Sequence, residues 1–226
     1  MSTCSTRPLV CLTAILITTA SSAQVVVDQQ ADAFNAPNPI GELGGPSVAF
    51  FQDVQQTFTV GVAGTLQTVE LQVMRGEPLF PGGVPNEDVV VSILGTTPAG
   101  LPDFTQNLGS VSLPVSSIPA FDDFTTGPYT AFDVSGLGIE VSPGDVFAID
   151  VASATDPESY FVWDSEVDIY AGGISTTLGV FDGFFSDFPG RDLGFRTSVL
   201  IPEPASLTLL ALGGVALLSR RRVGHR

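Results

Sequence analysis

The chain has 226 residues, 24 acidic and 8 basic side chains, a formal charge of −16 and a pI near 4.1. All eight basic residues are arginine, against 24 acids, and this balance lacks the cationic footprint that phosphate binding requires, so a nucleic-acid partner is excluded. The apolar content of 44% and mean hydropathy of +0.35 exclude wholesale disorder, and their conflict with the acidity implies that apolar and acidic segments lie apart.

The N-terminus opens with Arg7, continues through the apolar run Leu9–Ala20, and reaches small residues at Ser21 and Ala23. A positive region, a short apolar stretch and small residues at −3 and −1 make a secretory signal peptide, with cleavage expected between Ala23 and Gln24. Residues 1–23 are therefore set aside from the fold. Both cysteines, Cys4 and Cys11, leave with them, and the lone histidine is His225 in the tail. The exported region then has no disulfide, no Cys nucleophile and no Ser-His-Asp triad.

Residues 24–200 form the expected domain. Between Gln24 and Ile201 three arginines, Arg75, Arg191 and Arg196, face 23 acids, a net charge of −20. The 24 Gly and 17 Pro of the chain punctuate short runs rich in Val, Ile, Phe and Thr. Val54, Gln56, Phe58 and Val60 alternate with Gln55, Thr57 and Thr59. Val69, Leu71 and Val73 alternate with Thr68, Glu70 and Gln72. A period of two marks half-buried strands. Val89–Leu94 is apolar on both faces, as in a central strand. Ala99–Asp123 reads as mostly irregular, with one strand at Gly109–Leu113. Further strands are expected at Tyr129–Val134, Asp145–Val151, Tyr160–Trp163 and Leu193–Leu200, the last with Leu193, Phe195 and Val199 inward and Arg196 outward. No stretch keeps a helical period for three turns. Many short strands separated by turn residues predict an all-β, antiparallel, jelly-roll-like β-sandwich.

Several segments carry a long, diffuse resemblance. Asp28-Gln29, Gln56–Val60 with Gly64-Thr65-Leu66, Gly144–Ile149, Tyr160–Trp163, Tyr170–Gly173 and Asp192–Thr197 occur in this order. The series resembles β-sandwich domains of bacterial surface proteins, which are similar to carbohydrate-binding jelly rolls. The resemblance implies the fold more than a function.

The densest chemistry lies in Tyr160-Phe161-Val162-Trp163-Asp164-Ser165-Glu166-Val167-Asp168-Ile169-Tyr170. One reading makes Tyr160, Trp163 and Tyr170 an aromatic platform for a sugar, with Asp164, Glu166 and Asp168 accepting its hydroxyls. The other packs the rings in the core and leaves the acids solvated. Glu166-Val167-Asp168 matches half of the Glu-x-Asp-x-x-Glu signature of jelly-roll glucanases, but Tyr170 and Ala171 stand where the second glutamate belongs, so no catalytic residue is assigned. No cofactor is expected. Calcium is the one metal entertained, at Asp164, Glu166 and Asp168, where Ile169 replaces the required glycine and Ser175 the terminal glutamate of an EF-type loop. Asp122 with Asp123 and Asp182 with Asp187 are weaker metal pairs.

The C-terminus reads Pro202-Glu203-Pro204, then the uncharged run Ala205–Ser219, then Arg220-Arg221-Arg222. As a helix, that run spans about 22 Å at 1.5 Å per residue, short for a bilayer core of about 30 Å, and flanking arginines can snorkel. The arginine cluster predicts a cytoplasmic C-terminus. Pro-Glu-Pro, apolar helix and arginines in this order resemble a PEP-CTERM sorting signal. The resemblance implies recognition of Pro202, Glu203 and Pro204 by exosortase, a membrane processing enzyme, in bacteria that make extracellular polysaccharide. The expected partners are thus signal peptidase, the secretion machinery, exosortase, the membrane through the C-terminal helix, and extracellular polysaccharide. The expected destination is the cell surface or matrix, in a non-enzymatic structural or interaction role, with a carbohydrate-binding module as the alternative and a glycoside-active enzyme as a remote one.

Overall fold

The computed structural model describes residues 23–32, 39–40, 52–75, 85, 87–120, 128–153, 160–165, 167–179, 185–187 and 191–202. Gln24–Pro202 form one compact unit. Its strands are β1 (Gln24–Ala31), β2 (Pro39–Ile40), β3 (Gln52–Thr59), β4 (Gly64–Arg75), β5 (Val89–Thr96), β6 (Pro102–Leu113) and β7 (Tyr129–Asp133). There follow β8 (Glu140–Val141), β9 (Val146–Ser153), β10 (Tyr160–Ser165), β11 (Ser175–Gly179), β12 (Phe185–Asp187), β13 (Asp192–Leu193) and β14 (Phe195–Ile201). Short 3₁₀ turns at Val115–Ser117 and Ser135–Leu137 are the helical elements among the described residues.

The strands form two antiparallel sheets. An eight-stranded sheet runs β1-β14-β4-β10-β13, with β7 and β8 also on β4 and β2 on β10. A six-stranded sheet runs β12-β11-β3-β9-β5-β6. Leu66, Val69, Leu71, Phe195 and Val199 from the first meet Val54, Phe58, Val91, Ile93 and Ile149 from the second in one core. Phe58 joins both sides, its ring 6.0 Å from Phe147 and 6.4 Å from Phe195. This is a two-sheet sandwich, and the alternation in β3 and β4 is what produces it: every second side chain leaves water for the shared core.

The expected strand Leu193–Leu200 is two strands, because the chain changes partner at Gly194. The Gly194 N–H donates to the Trp163 carbonyl at 2.9 Å, and its own carbonyl accepts from the Gln72 N–H at 3.0 Å. A Cβ on Gly194 would sit 1.8 Å from Gln72 Oε1, so a larger residue there must displace the buried Gln72 side chain. Leu193, Phe195 and Val199 are fully buried, as their alternation requires.

Ala99–Asp123 is less irregular than its prolines suggest. β6 covers twelve of its residues and pairs with β5 through two register shifts. Residues 104–108 are all exposed, and an edge strand with no buried face has no hydrophobic period to read. β1, β11 and β12 lie beyond the expected strands, and β1 buries little besides Ala31.

Several sequence expectations lie outside the described residues: the signal run Leu9–Ala20, Glu166, Asp122, Asp123, Asp182, Glu203, Pro204, the helix Ala205–Ser219, and Arg220, Arg221 and Arg222. Among the described residues no helix is long and apolar enough to cross a membrane.

Candidate functional site

Tyr160, Trp163 and Tyr170 are each at most 8% exposed, so they form no open sugar platform. The Tyr160 hydroxyl donates to the Glu87 carbonyl at 2.6 Å, and burial pushes it up to about 12. The Tyr170 hydroxyl donates to Gln29 Oε1 at 2.9 Å and accepts the Thr59 N–H at 3.0 Å. Its ring stands edge-on to Phe195, centroids 5.1 Å apart. The glycines that follow serve the same docking. A Cβ on Gly173 would lie 1.8 Å from the Thr57 carbonyl oxygen, and Thr59 Oγ1 donates to the Gly172 carbonyl at 2.7 Å. Tyr-Ala-Gly-Gly thus seats its loop on β3.

Two carboxylates of this stretch are described, and their surroundings differ. Asp164 is 1% exposed and pairs with Arg191 at 3.7 Å, whereas Asp168 faces solvent. Among the described residues no three His, Cys, Asp or Glu side chains are grouped so as to hold a metal ion. Of Asp187, the backbone alone is described, paired with Thr176.

The acid that organises this region is Asp192. It is 1% exposed, and one carboxylate oxygen accepts the N–H groups of Ile169 and Tyr170 at 2.8 Å each. The other accepts Gln56 Nε2 at 3.1 Å, while Gln56 Oε1 accepts the Leu193 N–H at 2.8 Å. Gln56 lies on the six-stranded sheet and Asp192 on the eight-stranded one, so this pair ties the sheets together through the core. Burial raises the Asp192 carboxyl above its usual range, against three hydrogen bonds that favour the anion. The sequence signal was the core-facing Gln56 in an otherwise apolar alternation: a buried amide needs partners.

A second polar row crosses the outer face of the six-stranded sheet. Register places Ser110, Ser92, Asp150, Gln55 and Thr176 side by side on five adjacent strands. Ser92 Oγ and Ser110 Oγ are 2.9 Å apart, Gln55 Nε2 donates to Asp150 Oδ1 at 2.8 Å, and Thr176 Oγ1 donates to Gln55 Oε1 at 3.0 Å. Burial pushes Asp150 up to about 7, opposed by the Gln55 bond and helped by the charge of Asp53. Burial also raises Asp53.

On the outer face of the other sheet, Arg196 lies over the Tyr129 ring, 3.9 Å from its centroid, and donates to Asp32 Oδ1 at 3.0 Å. The Tyr129 hydroxyl donates to the same oxygen at 2.6 Å. Partial burial raises Asp32, but bonds from Tyr129, Gln30 and Arg196 and the arginine charge outweigh it and hold the carboxyl below its usual range. The cluster fastens the end of β1 onto β14 and β7.

No nucleophile–base pair emerges from these networks. Between the sheets a cavity of about 10 Å³ is lined by Val54, Val73, Val89, Val151, Ala152, Ser153, Tyr160 and Val162, room for about one water. The feature with functional content is the exit of the chain. β14 ends at Ile201, which pairs with Gln24, and the exposed Pro202 follows. Ala23, on the other side of the expected signal cleavage, is also exposed.

No curated protein matches the chain. The family model of the PEP-CTERM protein-sorting motif matches residues 200–222, so the chain carries this sorting motif at the end of its β-sandwich.

Proposed function

We propose that this is an exported, non-enzymatic cell-surface or extracellular-matrix protein, delivered through its C-terminal tail and presenting an acidic β-sandwich outside the cell. The observation that carries the reading is the sorting motif at residues 200–222, attached directly to the last strand. The motif implies exosortase, a membrane enzyme, as the processing partner. Two prolines flanking Glu203 disfavour helix and keep the segment extended for capture. The net charge of −20 on the exported region keeps copies apart in solution and repels anionic surfaces. A non-enzymatic role accords with an exported region devoid of His and Cys. Its ligand class would be polysaccharide or protein of the matrix, met across a broad surface instead of a pocket.

Replacing Pro202, Glu203 and Pro204 together by alanine should hold the full-length chain in the cytoplasmic membrane fraction. Normal arrival of this variant at the surface would sink the sorting reading.

A further inference from the structure

The sorting segment begins inside the sheet, not after a linker. Residues 200 and 201 are the last rungs of β14 and also the first residues matched by the sorting motif. β14 is not an edge strand: β1 flanks it on one side and β4 on the other. On the β1 side Val25 pairs with Leu200 and Gln24 with Ile201. On the β4 side Leu66 pairs with Val199 and Thr65 with Leu200. Gly64 closes that side: a Cβ there would lie 2.2 Å from the Leu200 carbonyl oxygen and 2.6 Å from Val199 Cγ1. No side chain fits at 64 without pushing the end of β14 aside.

Both flanking strands bulge just below this clamp. Asp28 is the extra residue on β1, between Val27 and Gln29, and its carboxylate accepts the Gly61 N–H at 3.0 Å. Gln67 is the extra residue on β4, between the partners of Ser198 and Val199. Past the bulges, β4 stays paired with β14 to Leu200 and β1 to Ile201. Beyond it, Pro202 restricts Ile201 itself to extended conformations.

We propose that β1 and Gly64 are positioning elements for the C-terminal processing reaction. They hold Val199–Ile201 extended and rigid, so that the processing enzyme receives Pro202-Glu203-Pro204 from a fixed strand end. The inference rests on the sorting reading above. Its physical basis is preorganisation: an enzyme that captures an extended segment must otherwise order the residues leading into it, and the clamp has ordered them already. The clamp also sets the distance at which the sandwich stands from the enzyme, because no spacer intervenes.

The test follows tail loss in cells by pulse-chase of the full chain, with the melting temperature of the released domain measured in parallel. Inserting Gly-Ser-Gly-Ser between Ile201 and Pro202 leaves every rung of the sandwich in place. It should slow tail loss about three- to tenfold through lost preorganisation while the melting temperature stays constant. Gly64→Val should slow tail loss and lower the melting temperature together. The alanine triple variant at Pro202, Glu203 and Pro204 separates the two readings. If that variant is processed normally, the sorting reading fails. If it is blocked while the insertion variant is processed at the wild-type rate or faster, the positioning inference alone is overturned.

Discussion

Gln24 pairs in register with Ile201, so the first residue after the expected signal cleavage and the last residue before Pro202 are neighbours on adjacent strands. The two ends of the exported domain leave it at one place. Gln24 and Ile201 are 177 positions apart in sequence, yet the sheet pairs them.

Gly194 is the point where the chain passes from β10 to β4, and Gly194→Ala puts a methyl against Gln72 Oε1. We expect a loss of about 1–3 kcal/mol, the usual cost of forcing a group into a packed interior. Gly136→Ala meets nothing within 4 Å and should be neutral or stabilising by about 0.4–1 kcal/mol. Urea denaturation of the two variants checks the contrast.

Asp150 should make stability fall with rising pH. Its carboxyl is pushed up to about 7 in the fold, against about 3.9 in the unfolded chain. The unfolded state therefore releases its proton first. Stability from this group is complete below about pH 4 and is lost progressively up to about pH 7. Asp150→Asn keeps an acceptor for Gln55 and removes the charge. At pH 8 it should stabilise by on the order of 3 kcal/mol, and at pH 4 by little. Thermal melts of both proteins at the two pH values measure the difference, and equal gains at both would contradict the assignment.

Trp163 is the single tryptophan and is 3% exposed. Its emission should be blue-shifted and resist acrylamide quenching in the native state, then shift red on unfolding. Trp163→Ala should cost about 3–5 kcal/mol of stability, as for other buried aromatics. A native-state emission maximum typical of water-exposed indole would place the ring outside and revive the sugar-platform reading.

The Arg196–Asp32 contact is partly exposed, at 32% and 24% for the two side chains. A double-mutant cycle with Arg196→Gln and Asp32→Asn should return a coupling of about 0.2–1 kcal/mol. That coupling should shrink at high salt. Arg196→Gln alone should cost more, because it also removes the stack on Tyr129.

The strand class of the domain was legible in β3, β4 and β5, where alternation and apolar runs are strong local signals. The end of β6, Gly109–Leu113, was legible as a strand, but its first part was hidden because both faces are wet over residues 104–108. The break at Gly194 was hidden because a partner change leaves no mark on period two. Tyr160, Trp163 and Tyr170 read equally well as platform or core, since a ring's chemistry suits both. For Tyr170 the burial is decided by β3 and Phe195, which are not its sequence neighbours.

The tail was legible in full as a motif, because recognition of Pro-Glu-Pro, apolar run and arginines depends on local order along the chain. Export, acidity and the absence of His and Cys from the exported region are likewise properties of the sequence alone. The tertiary structure decided that Asp192 bridges the sheets through Gln56, that Asp150 sits on a buried row, and that β14 runs clamped to the edge of the motif. Each of these is a pairing between residues many positions apart, and strand pairing is set by register and close approach, which no local pattern records.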